Sequence, residues 1–168
     1  MNYKSIKYFC TANGKGVRTA LFVSGCRLHC EGCFNKESWN FKAGKELTED
    51  KINEILNSIE PEYIQGLSIL GGEPLDDNNV EGVLHVIEMF RERFGNKKDI
   101  WMWSGYYVED SMKHPLKEKA IKMCDYVVDG PYEQDKWNIN LVYKGSSNQN
   151  IYHITNGELK KVTFDRVK

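Results

Sequence analysis

The chain has 168 residues, 40% of them apolar, which suffices for one packed core. Its 23 Lys and Arg against 24 Asp and Glu give a net charge of −1, without the basic excess that marks a nucleic-acid surface. No apolar run reaches the roughly 18–20 residues that span a bilayer, and residues 1–7 carry no signal-like apolar stretch, so a cytoplasmic protein with no nucleic-acid and no membrane partner is expected.

The first strong element is the apolar run Thr19-Ala20-Leu21-Phe22-Val23, a buried strand that leads directly into Ser24-Gly25-Cys26. Ile52, Ile55, Leu56 and Ile59 recur at helical spacing behind Thr48-Glu49-Asp50, which predicts a helix over residues 48–59. Residues 67–70 predict a short strand, broken by Gly71-Gly72. Val83, Leu84, Ile87 and Phe90 share one face of a helix over residues 80–94. A third strand is expected at residues 99–103, a helix at 115–123 and a fourth strand at 126–128, ending at Asp129-Gly130-Pro131. Residues 141–143 and 151–154 are weaker strand candidates flanking the polar loop 145–150.

Strand and helix alternate, which argues for an α/β fold with a mostly parallel sheet in one domain, residues 1–168, with its core at about residues 10–154. Ligands in such sheets gather at the carboxyl ends of the strands. The cysteine loop, Gly71-Gly72-Glu73-Pro74, Ser104-Gly105 and Asp129-Gly130 each follow a predicted strand, so they are expected on one rim.

The five cysteines are Cys10, Cys26, Cys30, Cys33 and Cys124. An odd, clustered set points to metal or redox chemistry rather than to a disulfide framework. Cys26-x3-Cys30-x2-Cys33 supplies three soft thiolates within eight residues. A four-iron cluster with cysteine ligands alone needs four. Three explanations stand beside one another: a cluster with one iron left free, a zinc site completed by His29, Cys10 or Cys124, and an electron-transfer cluster completed by Cys10 or Cys124. Thiols without metal are a fourth. Gly71 and Gly72 let backbone approach a ligand, and Glu73 offers a carboxylate suited to an ammonium group. Ser104 places a hydroxyl at a strand end. Phe34 follows the last cysteine. His29 reads as a solvated loop residue, Cys124 as a small core residue, Asp129 as a turn cap or a ligand-orienting group, and the tryptophans at 101 and 103 as core.

The cysteine spacing followed by Gly71-Gly72-Glu73-Pro74 resembles that of the radical S-adenosylmethionine enzymes. Further stretches extend the likeness over about residues 10–150: Asn13-Gly14, Gly16 and Arg18, Leu21 to Cys26, Gly32-Cys33-Phe34-Asn35-Lys36, Trp103-Ser104-Gly105-Tyr106, Val128-Asp129-Gly130 and the 145–149 loop. In these the chain is similar to the glycyl radical enzyme activases. The resemblance implies a reduced, open partial (β/α) barrel with mostly parallel strands. It implies a [4Fe-4S] cluster on Cys26, Cys30 and Cys33, with S-adenosyl-L-methionine chelating the fourth iron. Gly71, Gly72 and Glu73 would meet the methionine end, Ser104 the ribose, and Phe34 with the Gly32–Cys33 backbone the adenine. The implied partners are the large glycyl radical subunit of an anaerobic (class III) ribonucleotide reductase and a one-electron donor such as flavodoxin or ferredoxin. The alternatives are an activase of another glycyl radical enzyme such as pyruvate formate-lyase, a radical enzyme acting on a metabolite, and a non-catalytic zinc or iron–sulfur module.

Overall fold

The computed structural model describes residues 1–165; residues 166–168, the end of the expected domain, lie outside the described residues. The elements run β1 (Asn2–Cys10), β2 (Val17–Val23), β3 (Lys45–Glu46), α1 (Glu49–Ile59), β4 (Ile64–Gly71), α2 (Val80–Phe94), β5 (Asp99–Trp103), α3 (Val108–Ser111), α4 (Pro115–Lys122), β6 (Tyr126–Asp129), β7 (Asn150–Thr155) and β8 (Glu158–Val162). Helix α1 begins where the sequence placed its cap: the Thr48 hydroxyl accepts the Lys51 N–H at 3.2 Å, with Glu49 and Asp50 in the first turn. Among the described residues no helix is long and apolar enough to cross a membrane.

Among the described residues the strands join one eight-stranded sheet in the order β3-β1-β2-β4-β5-β6-β7-β8. The centre, β2-β4-β5-β6, is parallel, as the alternation of strand and helix requires. Both flanks are antiparallel, so the sheet is mixed, which corrects the expectation of a mostly parallel one outside its core. The reason is connection length. Residues 11–16 between β1 and β2 are too few to carry the chain back to a parallel start. Asn156 and Gly157, at φ +52° and +79°, turn β7 straight into β8 as a two-residue hairpin loop. Residues 141–143 form no strand. Tyr143 sits at φ +64°, and its carbonyl accepts the Trp103 Nε1–H at 2.7 Å, so this segment crosses the sheet instead of pairing with it.

The parallel strands bury both faces. Leu21, Val23, Leu67, Ile69, Ile100, Met102 and Val127 point to the side covered by α1, α2 and α4, where Ile55, Leu56, Val83, Ile87, Phe90 and Ile121 meet them. Each such side chain contributes about 1.5–3 kcal/mol by leaving water, which fixes the helices over this face. The alternate residues Ala20, Phe22, Leu70, Trp101 and Val128 form the opposite face. Near the amino ends of the strands that face is filled by Arg18, which is fully buried. Its guanidinium donates to Ser68 Oγ at 2.7 Å and to the carbonyls of Leu67 and Lys15 at 2.9 Å each, and pairs with the Asp99 carboxylate. Burial lowers its pKa from the usual value, and Asp99 opposes that shift. The carboxyl ends of the same strands carry the loops that build the site.

Candidate functional site

Three loops interlock at this rim. The loop after β2 carries the cysteines, the loop after β4 carries Gly72 and Glu73, and the loop after β5 carries Ser104 and Gly105. The Gly72 N–H donates to the Val23 carbonyl at 2.9 Å and the Glu73 N–H to the Gly25 carbonyl at 2.7 Å. Such closeness requires glycine at 72, because a Cβ there would stand 2.5 Å from the Gly25 oxygen. At Gly105 the approach is to a side chain instead: a Cβ would meet the tip of Leu28 in the cysteine loop, which would have to move. Asn79, buried at the start of α2, ties the knot. Its Nδ2 donates to the carbonyls of Ser24 and Glu73 at 3.0 Å each.

Glu73 is 1% exposed. Its carboxyl accepts the Ser104 hydroxyl and the Leu75 N–H at 2.8 Å on Oε2, and the Gly105 N–H at 2.6 Å on Oε1. Burial pushes its pKa up to about 7, against the pull of the N–H donors and the Ser104 hydroxyl. Glu73 and Ser104, read from the sequence as separate ligand contacts, therefore hold each other.

One cavity of about 360 Å³ opens among these loops. Of the residues singled out from the sequence, Cys26, Cys30, Cys33, Phe34, Gly71, Gly72, Glu73 and Ser104 line it, and Gly32 packs instead beside Gln134. Phe34 is 72% exposed and leans on Tyr132, the ring centroids 5.3 Å apart. The connection from β6 to β7 returns over the cavity, and Tyr143, Lys144, Gly145 and Gln149 complete its wall. That loop is held by Gln149, which accepts the Gly145 N–H at 2.7 Å and donates to the Gly130 carbonyl at 2.9 Å.

The three cysteines of the loop are free thiols. Burial raises the pKa of Cys26 and Cys30, while the backbone N–H groups of Leu28 and His29 at Cys26, and of Tyr132 and Cys30 itself at Cys30, pull the other way. The Cys33 sulfur accepts the Asn35 N–H at 3.4 Å. Among the described residues no group of three or more His, Cys, Asp or Glu is arranged to hold a single metal ion; the thiols stand around a cavity instead.

Other expectations sort as follows. Asp129 caps, accepting the Val108 N–H at 2.9 Å and the Asn150 side chain at 3.0 Å. Cys124 is buried, its thiol directed to the Ala120 carbonyl. Cys10 is buried beside Asn13. Trp101 is core, whereas Trp103 reaches the cavity. His29 is exposed, as expected of a solvated loop residue, and one face of its ring stacks on Trp39 with centroids 4.1 Å apart. Asn79 and Trp39 escape sequence reasoning, because neither lies in a motif.

The family model described as a 4Fe-4S single cluster domain matches residues 12–152. An anaerobic ribonucleoside-triphosphate reductase-activating protein of Pasteurella multocida is 38% identical over 159 residues, covering 92% of this chain and 99% of the relative. Proteins of the same name from Enterobacteria phage T4 and Escherichia coli K12 are 37% and 35% identical, covering 95% and 92% of this chain and 99% of each relative.

Proposed function

Because the chain belongs to the anaerobic ribonucleoside-triphosphate reductase-activating proteins, we propose that it installs a glycyl radical on the large subunit of that reductase, using a [4Fe-4S] cluster and S-adenosyl-L-methionine. The observation that carries the reading is the meeting of the three-cysteine loop with the loops of Gly72 and Ser104 around one cavity at the strand carboxyl ends. The donor set suits the group: three free thiols with backbone N–H groups directed at their sulfurs, and no fourth cysteine on the wall. On this reading Cys26, Cys30 and Cys33 each ligate an iron, and the remaining iron takes the cofactor. When bound, the cluster with S-adenosyl-L-methionine would supply one-electron reductive cleavage chemistry, its electron drawn from a flavodoxin or ferredoxin, through which a hydrogen atom would be removed from a glycine Cα of the partner.

The chain itself binds, orients and shields. The sheet is read as the reduced, open form of a (β/α) barrel, with room above the cavity for a peptide loop of the reductase. The Gly71–Glu73 backbone faces the methionine end, and the buried Glu73 carboxyl holds that backbone at a fixed distance from the ribose-side loop. Ser104 acts from the other end of the same bond. Phe34 and the Gly32–Cys33 backbone lie on the adenine side.

The test is anaerobic reconstitution with iron and sulfide, then reduction with S-adenosyl-L-methionine and the reductase present. Formation of 5′-deoxyadenosine, together with a glycyl radical signal on the large subunit, is the expected result. A fully loaded cluster that cleaves no cofactor would sink the proposal.

A further inference from the structure

We infer that the 145–149 loop is a clamp acting on the iron–sulfur core, on the reading of Cys26, Cys30 and Cys33 as its ligands: Ser146, Asn148 and Gln149 fix the backbone of residues 130–133 so that the Tyr132 N–H donates to the Cys30 sulfur.

Between β6 and β7 the described residues form one short 3-10 turn, Gln134–Lys136, and side chains hold the rest of this backbone. Three side chains of one loop take successive points along it. Gln149 Nε2 donates to the Gly130 carbonyl at 2.9 Å, Asn148 Nδ2 donates to the Pro131 carbonyl at 2.7 Å, and Ser146 Oγ accepts the Glu133 N–H at 3.1 Å. Tyr132 lies between these holds. Its N–H is turned to the Cys30 sulfur, where it favours the thiolate. The loop that does the gripping is itself stiff, because Gln149 Oε1 accepts the Gly145 and Ser146 N–H groups at 2.7 and 3.2 Å. Gly145 lets it close on its target: a Cβ there would stand 3.0 Å from the Tyr132 ring.

The cysteine loop supplies the other N–H groups directed at its sulfurs, from Leu28 and His29 at Cys26, from Cys30 itself, and from Asn35 at Cys33. Among the N–H groups described at the three sulfurs, that of Tyr132 is the one brought from a distant part of the chain. N–H donors to a ligand sulfur favour the reduced, more negative state of a cluster and so raise its potential. Ser146, Asn148 and Gln149 are thus positioning residues, each acting through the backbone around Tyr132 on how readily the core takes up an electron.

The test uses the whole reconstituted protein. With tyrosine carrying 15N in its backbone, pulsed electron paramagnetic resonance of the reduced cluster is expected to show a 15N coupling in wild type that Tyr132→Phe lacks, since that variant keeps the N–H without the label. Identical spectra from the two overturn the inference. Ser146→Ala and Asn148→Ala each remove one hold and are read by iron and sulfide content and by the midpoint of a redox titration. Both are expected to load and to show a more negative midpoint and a weaker 15N coupling, while Cys124→Ala keeps the wild-type midpoint. A shift in either variant supports the clamp, and an unchanged midpoint in both overturns it. Should neither variant load, the labelled pair decides alone: a coupling lost in Tyr132→Phe supports the inference, and its absence from wild type overturns it. If instead wild type assembles no cluster, or Cys30→Ala loads like wild type, the reading of the ligands falls, and the clamp falls with it.

Discussion

The Ser104 hydroxyl and Glu73 Oε2 are 2.8 Å apart, and this bond joins the loop after β5 to the loop after β4. Ser104 Oγ also accepts the Tyr106 N–H at 3.1 Å. Both partners are buried or half-buried, so Ser104→Ala strands the Tyr106 N–H and leaves Glu73 Oε2 with the Leu75 N–H alone. A loss of about 1–2 kcal/mol is expected, read as a lower denaturation midpoint of the cluster-free protein. A Ser104→Ala variant as stable as wild type would show that the bond contributes nothing.

Glu73 makes that stability depend on pH. Its carboxyl titrates at about 7 in the folded chain, against an ordinary value of 4.5. The native state therefore holds a proton that the unfolded chain has released. The associated stability is complete below the lower value and is lost as pH rises through the higher one. Across this window the cluster-free protein should lose up to about 3 kcal/mol. Denaturation midpoints between pH 5 and 8 measure it, and Glu73→Gln should flatten the profile. The variant should also be weaker at pH 5, because an amide nitrogen cannot accept the N–H that a carboxyl oxygen accepts.

The two close-approach glycines should differ in cost. A Cβ at Gly72 meets the backbone oxygen of Gly25, which cannot turn aside. A Cβ at Gly105 meets the tip of the Leu28 side chain, which can change rotamer. Gly72→Ala should cost about 2–3 kcal/mol and Gly105→Ala about 1 kcal/mol, seen as ordered melting temperatures. The reverse order would contradict the packing.

The cysteines divide by position. Replacing Cys26, Cys30 or Cys33 by Ala should reduce the iron retained after reconstitution to a small fraction of wild type. Cys124→Ala should retain it, since that thiol is buried against the Ala120 carbonyl, away from the cavity. The cost there should be about 1 kcal/mol of packing. Equal iron loss in Cys124→Ala would reassign the ligands.

Much of the parallel core was readable because its strands and helices announce themselves locally. The run at 19–23 and the helical faces at 52–59 and 83–90 need no distant partner to be recognised. The flanks were harder. In β1 only Tyr3 and Cys10 are buried, and β8 has no buried residue, so neither shows the alternation of a half-buried strand. The Asn156-Gly157 pair was a usable hairpin signal for β7 and β8. The site's cysteines were legible from spacing alone. Its supports were not, because each depends on a residue far along the chain: Asn79 reaches Ser24 across 55 positions and Ser104 reaches Glu73 across 31. Glu73 was visible, but its partners at 104 and 105 could only be seen once the strands were side by side.

The mutual bonding of Gly25, Glu73, Asn79 and Ser104 makes the rim a cooperative unit. A side chain in such a unit cannot be assigned to ligand contact by loss of activity, because removing it loosens its neighbours' loops as well. On the proposed function, activity is coupled to local folding at this end of the sheet, so kinetic defects among these residues acquire meaning only beside a measurement of how much of the rim remains closed.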